Sequence, residues 1–369
     1  MYWCVREGSI HQYTNNEYTK DMKLLIYGAG AVGRYLGGML AQAGNDVTLV
    51  VRPEGAALIQ AEGLTVVSKE ATVMTRPQVV TSLRQAMLNN NSYDAFLLTM
   101  KAYSINQTID EMIAFCPTPP TLITLQNGIG IEEQFQQQFP QTPIIAGSVT
   151  TPVSLKNENE IVVEKSGRGV GVAHTQAKGK IGPWKGLFQE AGIKTVSLKN
   201  YKSLKWSKAL LNIIGNASSA ILNRHPGVVY QSEAMYAMEL AAIRETLKVM
   251  ERLKLEVVNL PGAPAWWLAF GVKNLPPGLL KPILTQMVAR GRGDKMPSFA
   301  LDLTAGKKQS EILYHNGAIA KAGRELGIAT PVNTALTDIL LKLVSQELDW
   351  QSYSGNVKQL VEDIKRYAR

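Results

Sequence analysis

Between Lys23 and Val51 a short apolar run, Lys23-Leu-Leu-Ile-Tyr27, leads directly into Gly28-Ala29-Gly30-Ala31-Val32-Gly33. A helical stretch to about Ala43 and a second apolar run, Asp46-Val-Thr-Leu-Val-Val51, follow at once. Strand, glycine turn, helix and strand in this compass form the first unit of a dinucleotide-binding fold. Gly28 allows the tight turn, Gly30 lets the backbone approach a pyrophosphate, and Gly33 lets the helix lie close on the strand. The helix start offers amides and a positive partial charge to phosphates, so the whole run from Gly28 to Gly33 is the expected cradle. A glycine turn without a ligand is the alternative, and the flanking strands argue against it.

Further strands are expected at Ala95–Met100, Thr121–Leu125 and Ile144–Val149, with possible helices between them, which favours a parallel sheet with crossovers. Ile161–Glu164 and Gly169–Ala173 look like short strands that extend the sheet antiparallel. From about Tyr201 the pattern turns helical: Leu204–Leu222, Ser232–Leu253, Ser298–Gly306, Ser310–Leu326 and Thr334–Ser345. The proline-rich stretch Leu260–Lys281, with Trp266-Trp267 and Pro276-Pro277, is too broken for one helix. The expected organisation is an extension over residues 1–21, disordered, then an α/β half over 22–199 and an all-helical half over 200–369.

Composition narrows the function classes. The formal net charge is +9, but the basic residues are spread along the chain and no nucleic-acid module accompanies them. A phosphate-bearing cofactor and an acidic substrate account for part of the surplus. Cys4 and Cys116 make no disulfide framework and no zinc-ligand spacing occurs, so no metal site is expected. No apolar run is long enough to span a bilayer, and the first residues lack a secretory signal. The expected location is the cytoplasm, with neither nucleic acid nor membrane as partner.

Residues at the strand ends refine the cofactor. Where NAD sites usually carry an acidic residue, this chain has Val51-Arg52-Pro53, and a guanidinium there suits a 2′-phosphate; NADP(H) is favoured over the alternative of a solvated surface arginine. Lys101 and Asn127-Gly128 stand at later strand ends and face the same crevice, although a helix-start lysine and a plain turn are the bland readings. In Trp206-Ser-Lys208-Ala-Leu-Leu-Asn212-Ile-Ile-Gly-Asn216, the lysine and two asparagines recur every four residues, placing them on one face of an apolar helix. Such groups line a cavity or form a network between helices.

These motifs in this order resemble ketopantoate reductase, within the wider class of NADP-dependent reductases with a helical C-terminal half. The resemblance runs from Met22 almost to the end of the chain. It includes the glycine run, Lys101-Ala102, Asn127-Gly128, Trp206-x-Lys208-x3-Asn212 with Asn216, and Ser298 with Asp302. Glu311, Asn316-Gly317 and Gly327-Ile-Ala-Thr-Pro331-x-Asn333 complete it. It implies a Rossmann-type domain followed by an all-α domain like the C-terminal domain of 6-phosphogluconate dehydrogenase. It implies reduction of 2-dehydropantoate to pantoate with NADPH, with Lys208 as general acid and Glu311 as the assisting carboxylate. Asn127, Asn212, Asn216 and Ser298 match substrate-holding positions, with a helix N-cap after Pro297 an equally good and compatible reading of Ser298; Arg52, Lys101 and Asn127 match positions near the cofactor. Another 2-oxo acid substrate and a non-catalytic NADP(H)-binding regulator are the competing readings.

The chain departs from the family at Pro226, where some relatives have a further asparagine. Its Leu260–Lys295 section is long, ends in the basic run Arg290-Gly-Arg292-Gly-Asp-Lys295, and is expected to cover or reshape the pocket. A homodimer is compatible with the sequence and not specified by it.

Overall fold

The computed structural model describes residues 21–367 apart from 91, 177, 178 and 293–295; the expected extension, save Asp21, and the end of the basic run lie outside the described residues, as do the side chains of 289–292. The α/β half opens with β1 (Lys23–Tyr27), α1 (Ala31–Gln42), β2 (Asp46–Val50) and α2 (Pro53–Glu62). It continues with β3 (Leu64–Val67), β4 (Thr72–Thr75), β5 (Gln78–Val80), α3 (Leu83–Asn89) and β6 (Ala95–Leu98). Then come α4 (Ile105–Phe115), β7 (Thr121–Thr124), α5 (Ile131–Gln138) and β8 (Ile144–Val149). β9 (Val153–Leu155), β10 (Glu160–Val163), β11 (Gly169–His174), α6 (Gly182–Glu190) and β12 (Lys194–Ser197) close it.

The large sheet has eight strands in the order β12-β11-β8-β7-β6-β1-β2-β5. From β5 to β8 it is parallel; β11 joins β8 antiparallel, and β12 runs parallel to β11. The chain builds outward from β1 on one side and then crosses to β6 on the other, so the switch point, where such sheets bind ligands, lies between β1 and β6. Alternate residues of β1 serve opposite faces: Leu24 and Ile26 join the core under α1, Leu25 the core under α4 and α5. Burial on both faces is why these strands read as continuous apolar runs.

One strand expectation is corrected. Ile161 and its neighbours do not extend the large sheet; they form β10 in a second sheet, β4-β3-β10-β9, which packs against α1. The signal for β10 was local, whereas its partner β3 lies about a hundred residues earlier (Ile161 opposite Val66), and no local pattern names that partner.

The helical half comprises α7 (Tyr201–Ile213), α8 (Ala217–Leu222), α9 (Pro226–Gln231), α10 (Glu233–Arg252), α11 (Ala265–Asn274) and α12 (Pro277–Arg292). α13 (Ser298–Thr304), a 3₁₀ turn at Glu311–Tyr314, α14 (Asn316–Glu325), α15 (Pro331–Val344), α16 (Trp350–Tyr353) and α17 (Val357–Arg366) follow. α10 runs through the middle, against α7, α11, α14, α15 and α17. The proline-rich section forms two helices, α11 and α12, as its breaks require.

Two expected helices are shorter than the apolar pattern suggested. Leu204–Leu222 divides at Ile214–Asn216, where Gly215 takes φ +59°. Glu239 of α10 receives the Gly215 amide at 2.7 Å and the hydroxyls of Ser218 and Tyr230, so a buried carboxylate occupies the start of α8. Ser310–Leu326 divides at His315, whose backbone (φ −112°, ψ −101°) is not helical. No described helix is long and apolar enough to cross a membrane.

Candidate active site

The glycine run forms an open cradle at the switch point. Gly28 sits at φ +77° against β6's end, and a Cβ there would lie 2.4 Å from Cβ of Met100. A Cβ on Gly33 would strike Thr99 Oγ1, whose hydroxyl donates to the Gly28 carbonyl at 3.0 Å. Gly30 is different: a Cβ there would meet nothing within 4 Å. It faces open space, and no side chain caps α1, so the first-turn amides of Ala31, Val32 and Gly33 are available to a ligand. Ala29 is buried beneath them. Arg52 stands exposed at the end of β2, at the N-cap of α2. A dinucleotide pyrophosphate fits this cradle.

The second part of the site lies between the halves. A cavity of about 360 Å³ is lined from the sheet side by Asn127, Thr150, Lys165 and Arg168, and from the helical side by Lys208, Asn212, Asn216, Ser298, Glu311 and His315. Lys208 and Asn212 lie one turn apart on α7. The expectation that Asn216 shares that helix is corrected: it stands beyond the break, at the N-cap of α8. It reaches the same cavity nonetheless. Its Oδ1 is buried and accepts no hydrogen bond from the described residues. The break therefore leaves Asn216 on the cavity wall, although it no longer shares a helix with Lys208 and Asn212.

α7 is anchored by a residue one turn before Lys208. Lys205, only 3% exposed, donates to the carbonyls of Gln126 (2.8 Å) and Gly147 (3.2 Å) and pairs with buried Glu132 at 3.0 Å. Its partners lie at the ends of β7 and β8 and on α5, so this ion pair fixes the height of Lys208 over the strand ends.

Glu311 is held from the sheet side. Its Oε2 accepts from Lys101 Nζ at 2.7 Å and its Oε1 from the Ala102 amide at 3.0 Å. Lys101 also lies 3.5 Å from Asp302, which pairs with Lys307 at 2.7 Å. Burial works against the Lys101 charge, but Glu311 and then Asp302 outweigh it and hold the ammonium above the usual lysine value. Lys101, expected near the cofactor, is thus tied to the carboxylate of the cavity. Asn127-Gly128 is more than a turn: Gly128, at φ +121°, lets the chain pass where a Cβ would lie 2.6 Å from Cβ of Tyr314, and the Ile129 amide donates to the Tyr314 carbonyl at 2.9 Å. Ser298 is exposed to the cavity and begins α13; Pro297, not Ser298, is at the N-cap position.

The two halves match two family models: "Ketopantoate reductase PanE/ApbA" over residues 24–171 and "Ketopantoate reductase PanE/ApbA C terminal" over residues 200–344. The chain belongs to the ketopantoate reductase family. A 2-dehydropantoate 2-reductase of Pyrococcus horikoshii is 28% identical over 319 residues, covering 85% of this chain and 95% of that protein. A PanE/ApbA family ketopantoate reductase of Ralstonia eutropha JMP134 superimposes with a TM-score of 0.74 at 24% identity, over 88% of this chain and 99% of that one. A D-mandelate dehydrogenase solved with NADH and anilino(oxo)acetate superimposes with a TM-score of 0.71 at 23% identity, over 88% and 99%.

Within this family member, several motif residues serve packing. Asn333 is fully buried and donates to the Ala242 carbonyl (3.0 Å) and Glu245 (2.7 Å), while Asn316 donates to Asn333 Oδ1 at 2.9 Å. They join α10, α14 and α15. Sequence reasoning missed Lys165, Arg168, His315 and Lys205. Only Lys205 had a local signal, as a lysine one turn before Lys208 in the same apolar helix. Among the described residues, no group of three or more His, Cys, Asp and Glu side chains could hold a metal ion.

Proposed function

We propose that this chain is an NADPH-dependent reductase that converts 2-dehydropantoate to pantoate, a step toward pantothenate and coenzyme A. Residues 22–199 would hold the cofactor and residues 200–369 would supply most of the substrate site. The observation that carries the reading is the cavity between the halves, where Lys208, Asn212, Asn216 and Ser298 meet Asn127 and Glu311. When bound, a nicotinamide dinucleotide supplies the hydride. The pyrophosphate would lie on Gly28–Gly33, and Arg52 would contact the 2′-phosphate of NADP(H).

The chain's own part in the chemistry is electrostatic and protonic. The Lys208 ammonium would stabilise negative charge growing on the substrate's carbonyl oxygen and then give up a proton to it, yielding the hydroxyl. Asn212, Asn216 and Ser298, which line the cavity, would hold the substrate's polar groups. Glu311 brings a negative charge to the cavity wall, anchored by Lys101 and the Ala102 amide.

The relatives named for this activity share about a quarter of their residues with this chain, so the side group of the acid is the part that most needs testing. A panel of 2-oxo acids, with loss of NADPH absorbance as the readout, tests the reading. Highest efficiency on 2-dehydropantoate supports it; efficiency on another branched acid keeps the chemistry and changes the substrate; no turnover of any acid removes the reading.

A further inference from the structure

The cavity carries a cation that the proposed chemistry has not used. Arg168 ends the turn between β10 and β11 and lines the same cavity as Lys208 and Asn212. Three contacts fix its position. The next residue, Gly169, pairs with Thr150: its amide donates to Thr150 Oγ1 at 3.0 Å, and its carbonyl accepts from the Thr150 amide at 2.8 Å. The Thr150 hydroxyl in turn donates to the Pro261 carbonyl at 2.7 Å, tying the start of the proline-rich section to the sheet. Gly262, at φ +63°, then lies over the arginine: a Cβ there would fall 2.8 Å from Arg168 Cδ and 2.7 Å from the Gly167 carbonyl.

The guanidinium is thus covered by a glycine turn yet has no counter-ion, for among the described residues no carboxylate pairs with Arg168. Burial pulls it below the ordinary arginine value. A partly desolvated cation without a partner costs stability, and an anion arriving from solvent would offset that cost. The substrate class proposed above brings such an anion. A 2-oxo acid presents two oxygen sites of different kinds: a carbonyl that needs a proton donor and a carboxylate that needs a fixed positive charge. With Lys208 on the first, the second calls for another cation, and a guanidinium matches a carboxylate with two parallel hydrogen bonds.

We propose that Arg168 binds the carboxylate of the substrate and makes the cavity selective for 2-oxo acids over neutral carbonyl compounds. This rests on the reductase reading. It also gives the proline-rich section a task, since the Pro261-Gly262 turn fixes where the carboxylate sits.

The test compares wild type with Arg168→Ala and Arg168→Lys, using the preferred 2-oxo acid and its amide as substrates with NADPH. Wild type is expected to favour the acid strongly. Arg168→Ala should raise the KM for the acid roughly 10- to 100-fold, with kcat largely kept and the amide little affected, so that the preference collapses. Arg168→Lys should keep part of it. Turnover of the amide by the variant shows that the fold is intact. Equal losses on acid and amide, or a preference that survives Arg168→Ala, overturn the inference and leave the reductase reading in place. Weaker NADPH binding, by titration of tryptophan fluorescence, with no change in KM for the acid would assign Arg168 to the cofactor instead and also overturn it. A wild type that reduces no 2-oxo acid removes the underlying reading, and this inference with it.

Discussion

Arg52 and Lys101 show how far a single residue's place in the sequence indicates its surroundings. Arg52 is where the strand–turn pattern put it, at the end of β2 and open to solvent. With a 2′-phosphate as its partner, Arg52→Ala should lose about 1.5–3 kcal/mol of discrimination, so the NADPH-to-NADH ratio of kcat/KM should fall roughly 10- to 100-fold. An unchanged ratio would separate Arg52 from cofactor choice. Lys101 also stands at a strand end, but the carboxylates that hold it come from residues 302 and 311. Its value is raised in the fold, so its stabilising effect is full below the unfolded lysine value of about 10.4 and is lost as pH rises through the folded value. Denaturant midpoints should therefore fall with pH above about 10 in the wild type, and less steeply in Lys101→Met. The same slope in both would mean that the pair adds nothing to stability.

Among the elements, regular apolar strands and helices were legible, while the interruptions that shape the site were not. β1, β2, β6, β7 and β8 are continuous apolar runs, and their type and order followed from the pattern. The division of α7 from α8 did not, because its cause is Glu239, on a different helix. Lys208 and Asn212 were correctly placed on one helix, but Asn216 reached the cavity by another route. The Lys205–Glu132 pair is of the same kind: each residue looks ordinary alone, and burial together makes the pair costly to break. Lys205→Met should destabilise by about 3–5 kcal/mol, measured by denaturant unfolding, because Glu132 is left buried and charged. Adding Glu132→Gln should recover much of this, and a small loss in the single variant would show that water reaches Glu132. The expected cover over the pocket can be tested at its wall, where Met287, Val288, Ala263 and Pro264 line the cavity. Met287→Trp should reduce efficiency on bulky 2-oxo acids far more than on pyruvate; an equal reduction on both would argue against a selective role.

For the molecule as a whole, the proposed roles divide between two halves that polar contacts join at several points. The glycine cradle belongs entirely to the sheet, whereas Lys208 and Asn212 belong to α7. Lys205 on the strand ends, Glu311 under Lys101, and Tyr314 against Gly128 set their separation. On the proposed roles, loss of a cofactor contact should appear in cofactor binding, and loss of the Lys208 ammonium in turnover. This separation makes Lys208→Ala the variant that most directly tests Lys208 as the proton donor. Measured across pH with NADPH and the preferred 2-oxo acid, its turnover should be lower by roughly 10²–10⁴-fold, with NADPH affinity nearly unchanged. Turnover of the wild type should decline as pH rises past the point where Lys208 loses its proton, and the variant should lack that decline. Intact turnover in Lys208→Ala, with only a raised KM for the acid, would contradict the account and leave Lys208 as a binding residue.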